Sequence, residues 1–391
     1  MLSVFEKGII ELIRCAFKGG VPNVDESFDF EKAYDFAQQR QITPLLYYGA
    51  VNLPGFMDTL AGKKFFKSAM NMGFFCAEQS EIIKSVNEAF KQNKIQHMML
   101  KGTILRSMYP YPEMRLMSDA DILIKEEEYD TIKPIMQSLG FEEQYESNHE
   151  FVWQKNGFTI ELHKRLIPSY NKDYYDYFGD GWKIATRRDE ETNECFMSDE
   201  DNFIYTFVHY AKHYRDGGIG VKHATDFYVF IDKFPQMNWE YVEKELEKLQ
   251  LLRFWQNTKN ALEVWFFDRE SNEITDFMTT RIFNSGAYGT VEDKLQAEAV
   301  RTGNTEGSVK RRKLLSIIFP SFEAMKQKYS VLKKVPILLP IMWVVRWVHA
   351  IFMPSKIRRQ KKTLDMVSNE SVSKYHNELK YVGLDFNFEE K

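Results

Sequence analysis

Cysteine is scarce. Cys15, Cys76 and Cys195 stand far apart in 391 residues. Their odd number supplies no disulfide framework, and no Cys-x-x-Cys spacing offers a zinc site. A small disulfide-stapled module is thereby excluded, and a reducing compartment is expected. A basic-then-apolar leader is missing as well. The opening residues MLSVFEKGIIE are amphipathic, so the expected location is the cytoplasm. A clean membrane span is also lacking: the apolar segment 335–353 is short for one and carries Pro336, Pro340, Arg346 and His349. Acid is scarce in one region. From Val309 to Lys362 there are 14 Lys or Arg against the single acid Glu323, a local net of +13 in a chain whose net charge is −4. That asymmetry and the basic flanks of 335–353 suit an anionic leaflet, and 335–362 is the expected stretch for contact with a membrane surface. A buried helix with a solvated basic end is the competing reading. No aromatic and basic interleaving of a reader module accompanies the charge, so nucleic acid is not the expected partner.

What is plentiful is aromatic: 31 Phe and 20 Tyr, enough for large packed helical layers. The length permits two or three domains with a real core. Apolar residues at helical spacing predict helices over 2–17, 28–40 and 62–93, with Thr43–Pro44 as another helix start. Nothing in 1–95 suggests chemistry. His97–Leu100 reads as a strand leading into Lys101–Gly102. The glycine lets the backbone approach a phosphate, and the helix that follows offers free N–H groups. Lys101 and Arg115 add positive charge.

Asp119 and Asp121 are two apart in the strand-like run DADILI and so share a face. Two carboxylates there repel each other and are costly to desolvate, and a divalent cation relieves both problems. A helix ending at Gly140 and a strand over 141–145 follow. Residues 151–163 read as a hairpin turning at LysAsnGly (155–157). Phe158, Ile160 and Leu162 face the core, while Thr159, Glu161 and His163 face the other way. Glu161 meets the aspartates if the two strands are neighbours. Residues 173–200 are expected to be loop-rich, and helix resumes from Asp201. His209 and His213 are four apart on one helix face, read either as a metal pair or as a polar stripe. ArgAspGlyGlyIleGly (215–220) is a link. Asp226 on the next helix is either a cap or salt-bridge residue or a cleft residue. Trp239–Phe267 continues as amphipathic helix, and 302–307 is a loop.

The elements LysGlyThr, Arg-x-x-Ser-Asp-x-Asp and Glu-x-His, in that order over roughly 97–165, resemble the nucleotidyltransferase superfamily of DNA polymerase β type. More closely, they resemble the bacterial uncharacterised nucleotidyltransferase family. The element order agrees with the α+β fold that the resemblance implies: a small mixed-sheet core at 96–165 and a helical substrate-side subdomain at 166–308, where the resemblance continues loosely through 201–232. Periodicity and charge add a helical subdomain at 1–95 and a basic amphipathic region at 309–391. The resemblance implies transfer of a nucleoside monophosphate from an NTP, ATP first among them, to an unknown hydroxyl acceptor. Asp119, Asp121 and Glu161 would hold Mg²⁺ or Mn²⁺. Lys101, Gly102, Thr103, Arg115 and Ser118 would hold the nucleotide, His163 would orient Glu161, His209 and His213 would line the cleft, and Asp226 would deprotonate the acceptor. Gly102–Thr103 departs from the usual Gly-Gly or Gly-Ser pair. That departure is why a nucleotide-binding or regulatory protein without turnover, docked at a membrane surface, stands as the alternative.

Overall fold

The first helix begins where the sequence caps it. α1 (Val4–Lys18) starts after Ser3, whose hydroxyl accepts the Glu6 N–H while the Glu6 carboxylate accepts the Ser3 N–H. Ile9, Leu12 and Ile13 of α1 are buried, at the spacing read from the sequence. α2 (Phe30–Arg40), α3 (Thr43–Ala50) and α4 (Leu60–Gln92) follow. Pro44 sits in the first turn of α3, where a missing N–H costs no helical hydrogen bond. The computed structural model describes residues 2–169, 171–188, 191–286, 289, 291–301, 314–315, 317–329, 331–351 and 368–384. The loop expected at 302–307 and the basic flank at 356–362 lie outside the described residues.

One seven-stranded mixed sheet carries the fold. Its strands are β1 (His97–Met99), β2 (Asp119–Ile124), β3 (Glu142–Glu146), β4 (Glu150–Lys155), β5 (Phe158–His163), β6 (Thr186–Arg187) and β7 (Glu194–Phe196). The order across the sheet is β3-β4-β5-β2-β1-β7-β6. β2 runs antiparallel to β1 and parallel to β5, reached by a crossover that includes α6 (Tyr129–Ser138). The β4–β5 hairpin turns at Asn156 and Gly157, at φ 51° and 77°, the left-handed pair that an Asn-Gly turn supplies.

Period-two alternation divides the central strands. Ala120, Ile122 and Ile124 of β2, with Phe158, Ile160 and Leu162 of β5, are at most 1% exposed. They share one core with Val86 and Phe90 of α4 and Ile132 and Met136 of α6. Burying each isoleucine contributes about 2 kcal/mol. A one-residue slip would drive Asp119, Asp121 and Glu161 into that core, so the apolar face enforces the register.

Two expectations change. Within the loop-rich 173–200 stretch, β7 pairs in parallel with β1 and extends the sheet, and α7 (Lys172–Phe178) forms. Strands of two or three residues have no alternation to read. The single helix expected over 239–267 is two, α10 (Trp239–Lys248) and α11 (Leu252–Phe266), parted where Gln250 takes φ 58°. α8 (Asp199–Arg215) and α9 (Val221–Lys233) precede them, and Phe203, Phe207, Phe227 and Trp255 of these helices meet edge to face. These contacts realise the aromatic layering that the composition suggested.

Contacts divide the chain into two units, 1–212 with 219–287, and 213–218 with 288–391. The stretches 1–95 and 96–165 fall in the first, with most of 166–308; the basic 309–391 region falls in the second. Among the described residues, no helix is long and apolar enough to cross a membrane.

Candidate active site

The site grows from the polar face of the β2–β5 pair. The parallel register sets Asp121 opposite Glu161 and Asp119 opposite Thr159. His163, two residues past Glu161, returns to the same face. Its Nε2 lies 2.8 Å from Asp121 Oδ1 and 3.5 Å from Glu161 Oε2. Ligand atoms of Asp121, Glu161 and His163 all lie within 4.8 Å of one another, a spread that a single cation can span with its ligands. Asp119 projects from the same strand face, close enough for its charge to be felt by Asp121, Glu161 and Lys101.

The electrostatics follow from burial. Burial alone would push Asp121 up, but the Lys101 ammonium and the hydrogen bond from His163 outweigh it and hold its carboxyl well below the usual carboxylate range. Lys101 Nζ lies 3.3 Å from Asp121 Oδ2. Asp119 is pushed up to about 6 by burial and by the charges of Asp121 and Glu161. Burial disfavours charge on His163, yet its hydrogen bonds to Asp121 and Glu161 raise it to about 9. Carrying both protons, His163 donates from Nε2 to Asp121 and from Nδ1 to His149 Nε2, 3.0 Å away. His149 must then be neutral, in keeping with its fall to about 2 through burial and the His163 charge.

The residues assigned to the nucleotide divide into two groups. Lys101 and Gly102 open α5 (Lys101–Arg106) directly after β1. An added Cβ at Gly102 would come within 3.1 Å of Met117 Sδ, so packing against the segment before β2 already favours glycine here. The buried Thr103 Oγ1 has no hydrogen-bond partner in the protein, the state of a hydroxyl that a ligand satisfies. α5 has only six residues, so its dipole is short and Lys101 and Thr103 carry more of the argument. Ser118 is exposed beside Asp119. Arg115 Nη1 would stand 3.9 Å from a Cβ on Gly102, but the side chain is engaged by a carboxylate. Its guanidinium makes a two-pronged contact with Asp226, Nε to Oδ1 at 2.8 Å and Nη2 to Oδ2 at 2.9 Å, and both residues are buried.

That contact corrects the role read for Asp226. Both of its oxygens accept from Arg115, Tyr109 adds its hydroxyl at 2.7 Å, and the residue is 1% exposed. Such a carboxylate, buried and paired with a guanidinium, is held ionised and away from solvent, so Asp226 is a salt-bridge residue. The sequence could not reveal this, because its partner lies 111 positions away.

His209 does reach the site, with Nε2 3.0 Å from Lys101 Nζ. His213, one turn further along α8, falls in the short 213–218 segment assigned to the second unit. Two residues were missed. Tyr205, fully buried beside Lys101, has a hydroxyl with no hydrogen-bond partner in the protein. It stands four residues before His209, so the His209–His213 stripe, extended one turn backward, would have found it. Lys222, 2% exposed, is lowered to about 7 by burial and the nearby Arg115. A lysine in an apolar helix start gives no such signal.

A model of uncharacterised nucleotidyltransferases matches residues 26–266, which contain the sheet, α5, α8 and every residue of the carboxylate site. The chain belongs to this uncharacterised nucleotidyltransferase family. No curated protein and no solved structure matches it. The match extends well past the 97–165 stretch that carried the resemblance, into α9–α11, so the aromatic helices are part of the nucleotidyltransferase domain. Membership implies a nucleoside triphosphate substrate in general terms. The donor set fits a hard divalent cation: Asp121 and Glu161 face each other on adjacent strands, and Asp119 stands on the same face.

Proposed function

We propose that this nucleotidyltransferase moves a nucleoside monophosphate from an NTP, ATP in the first instance, to a hydroxyl acceptor, using Mg²⁺ or Mn²⁺ held by Asp119, Asp121 and Glu161. The carrying observation is the parallel pairing that sets Asp121 opposite Glu161. A divalent cation there would lower the charge of the phosphates and favour an ionised acceptor oxygen. The chain's own residues do the rest. Lys101 presents a cation at the carboxylate cluster, where phosphate oxygens would gather. Thr103 Oγ1 donates to a phosphate oxygen. His163, tied to Asp121 and Glu161, fixes the carboxylate orientations.

Calorimetric titration with ATP and Mn²⁺ tests binding, and a pyrophosphate-release screen over hydroxyl acceptors tests turnover. Asp119→Asn and Asp121→Asn should each abolish metal-dependent nucleotide binding. Undiminished binding in the double variant overturns the proposal.

Binding without turnover is the second reading, and one observation favours it. Both Asp121 oxygens already face cationic side chains, His163 on one and Lys101 on the other. Metal-dependent ATP binding with no pyrophosphate release for any acceptor would select it.

A further inference from the structure

The second unit contains a helix with one side covered and one side bare. In the helix Leu339–Ile351, Trp343 donates its Nε1–H to the Pro320 carbonyl at 3.0 Å and Trp347 to the Ile318 carbonyl at 2.7 Å. Arg346 donates to the Ile317 carbonyl at 2.6 Å, and Phe319 stacks edge-on against both tryptophans. That side is a packed face. On the other side, Ile341, Val344 and Val348 are 58%, 50% and 48% exposed, and Ile337, in the 3₁₀ turn Pro336–Leu338 that leads into the helix, is 83% exposed. Their spacing of four, three and four puts them on one stripe. Val331 and Val335, just before it, are exposed as well. A helix apolar on both sides is normally enclosed, and a contiguous bare stripe of this size marks a contact surface.

The charge of this stretch of sequence says which surface. From Lys326 to Lys362 the sequence has ten Lys or Arg and no Asp or Glu. Like charge opposes docking of a second copy through this stripe. A bare aliphatic stripe does not suit the phosphate backbone of a nucleic acid. A bare aliphatic stripe in a basic stretch of sequence matches the interface of an anionic bilayer, with apolar groups at the acyl boundary and cations at the headgroups. The helix is too short to span, so it lies along the surface. We propose that the stripe Ile337–Ile341–Val344–Val348 docks the protein on an anionic membrane surface. This reading is independent of the transferase chemistry.

The test uses the full-length protein. Flotation with phosphatidylcholine vesicles containing about a third phosphatidylserine is compared with flotation on pure phosphatidylcholine. The protein should float with the anionic vesicles only, and less well as salt is raised. Ile341→Asp with Val344→Asp should weaken vesicle binding about tenfold or more. Ile341→Leu with Val344→Leu should retain it, and circular dichroism should show both variants melting like the parent. The proposal is overturned if the parent does not float with anionic vesicles, if it floats equally on neutral ones, or if the Asp variant floats as well as the parent. It is equally overturned if the parent ignores vesicles but sediments as a dimer that the Asp variant dissociates.

Discussion

At the scale of single residues, the site is a balance among buried charges. Asp119, raised to about 6, must be ionised to bind a cation. Its group protonates as pH falls through that value, so Mn²⁺ affinity should level off between about pH 7 and 8, below the range where His163 gives up the proton it shares with Asp121. It should then fall up to about tenfold per unit below pH 6, as read by calorimetry at stepped pH. Cation binding to the folded state alone should also raise the melting temperature, and Asp121→Asn should remove that rise. Thr103 gives a different signature. Its hydroxyl is buried without a partner, so Thr103→Val should leave the melting temperature unchanged or raise it. Nucleotide affinity should drop about tenfold, near the ~1.5–3 kcal/mol of a hydrogen bond to a charged group. Asp226→Asn strands the buried Arg115 guanidinium and should cost about 3–5 kcal/mol in chemical denaturation. Metal affinity per folded molecule should not change. A catalytic base would leave stability nearly intact, so the denaturation midpoint separates the two roles.

At the scale of elements, the alternation of β2 and β5 was legible because each strand has one fully apolar face. The same two-residue period that turns Ile122 and Ile160 into the apolar core turns Asp121 and Glu161 to the opposite, polar face, so core and site are opposite sides of one pattern. The turn was equally legible: only Asn and Gly adopt the two consecutive left-handed conformations of Asn156 and Gly157 readily. Gly157→Ala should therefore cost about 1 kcal/mol, measurable as a lower midpoint in urea. Ile122→Ala should cost about 2–5 kcal/mol, since it opens a cavity in a closed core. Elements without a period were hidden. β7 is three residues long, and its place beside β1 depends on parallel pairing across 97 positions.

At the scale of the whole molecule, the charge is segregated by region. The net of +13 between Val309 and Lys362 means that the rest of the chain carries about −17, and the carboxylate site lies in the acidic part. All three cysteines are free and buried. A thiol reagent should therefore label the native protein slowly and reach all three thiols only after denaturation. Local chemistry written in consecutive residues, such as caps, turn residues, alternating faces and the DADILI and TIELH runs, determined the helices, the hairpin and which carboxylates share the polar face. Only the tertiary structure decided which distant groups meet. Arg115 joined Asp226, Lys101 met His209, and β5 came to lie beside β2. The physical reason is that a contact between residues a hundred positions apart depends on how helices and strands pack, and no local period of the sequence records that packing.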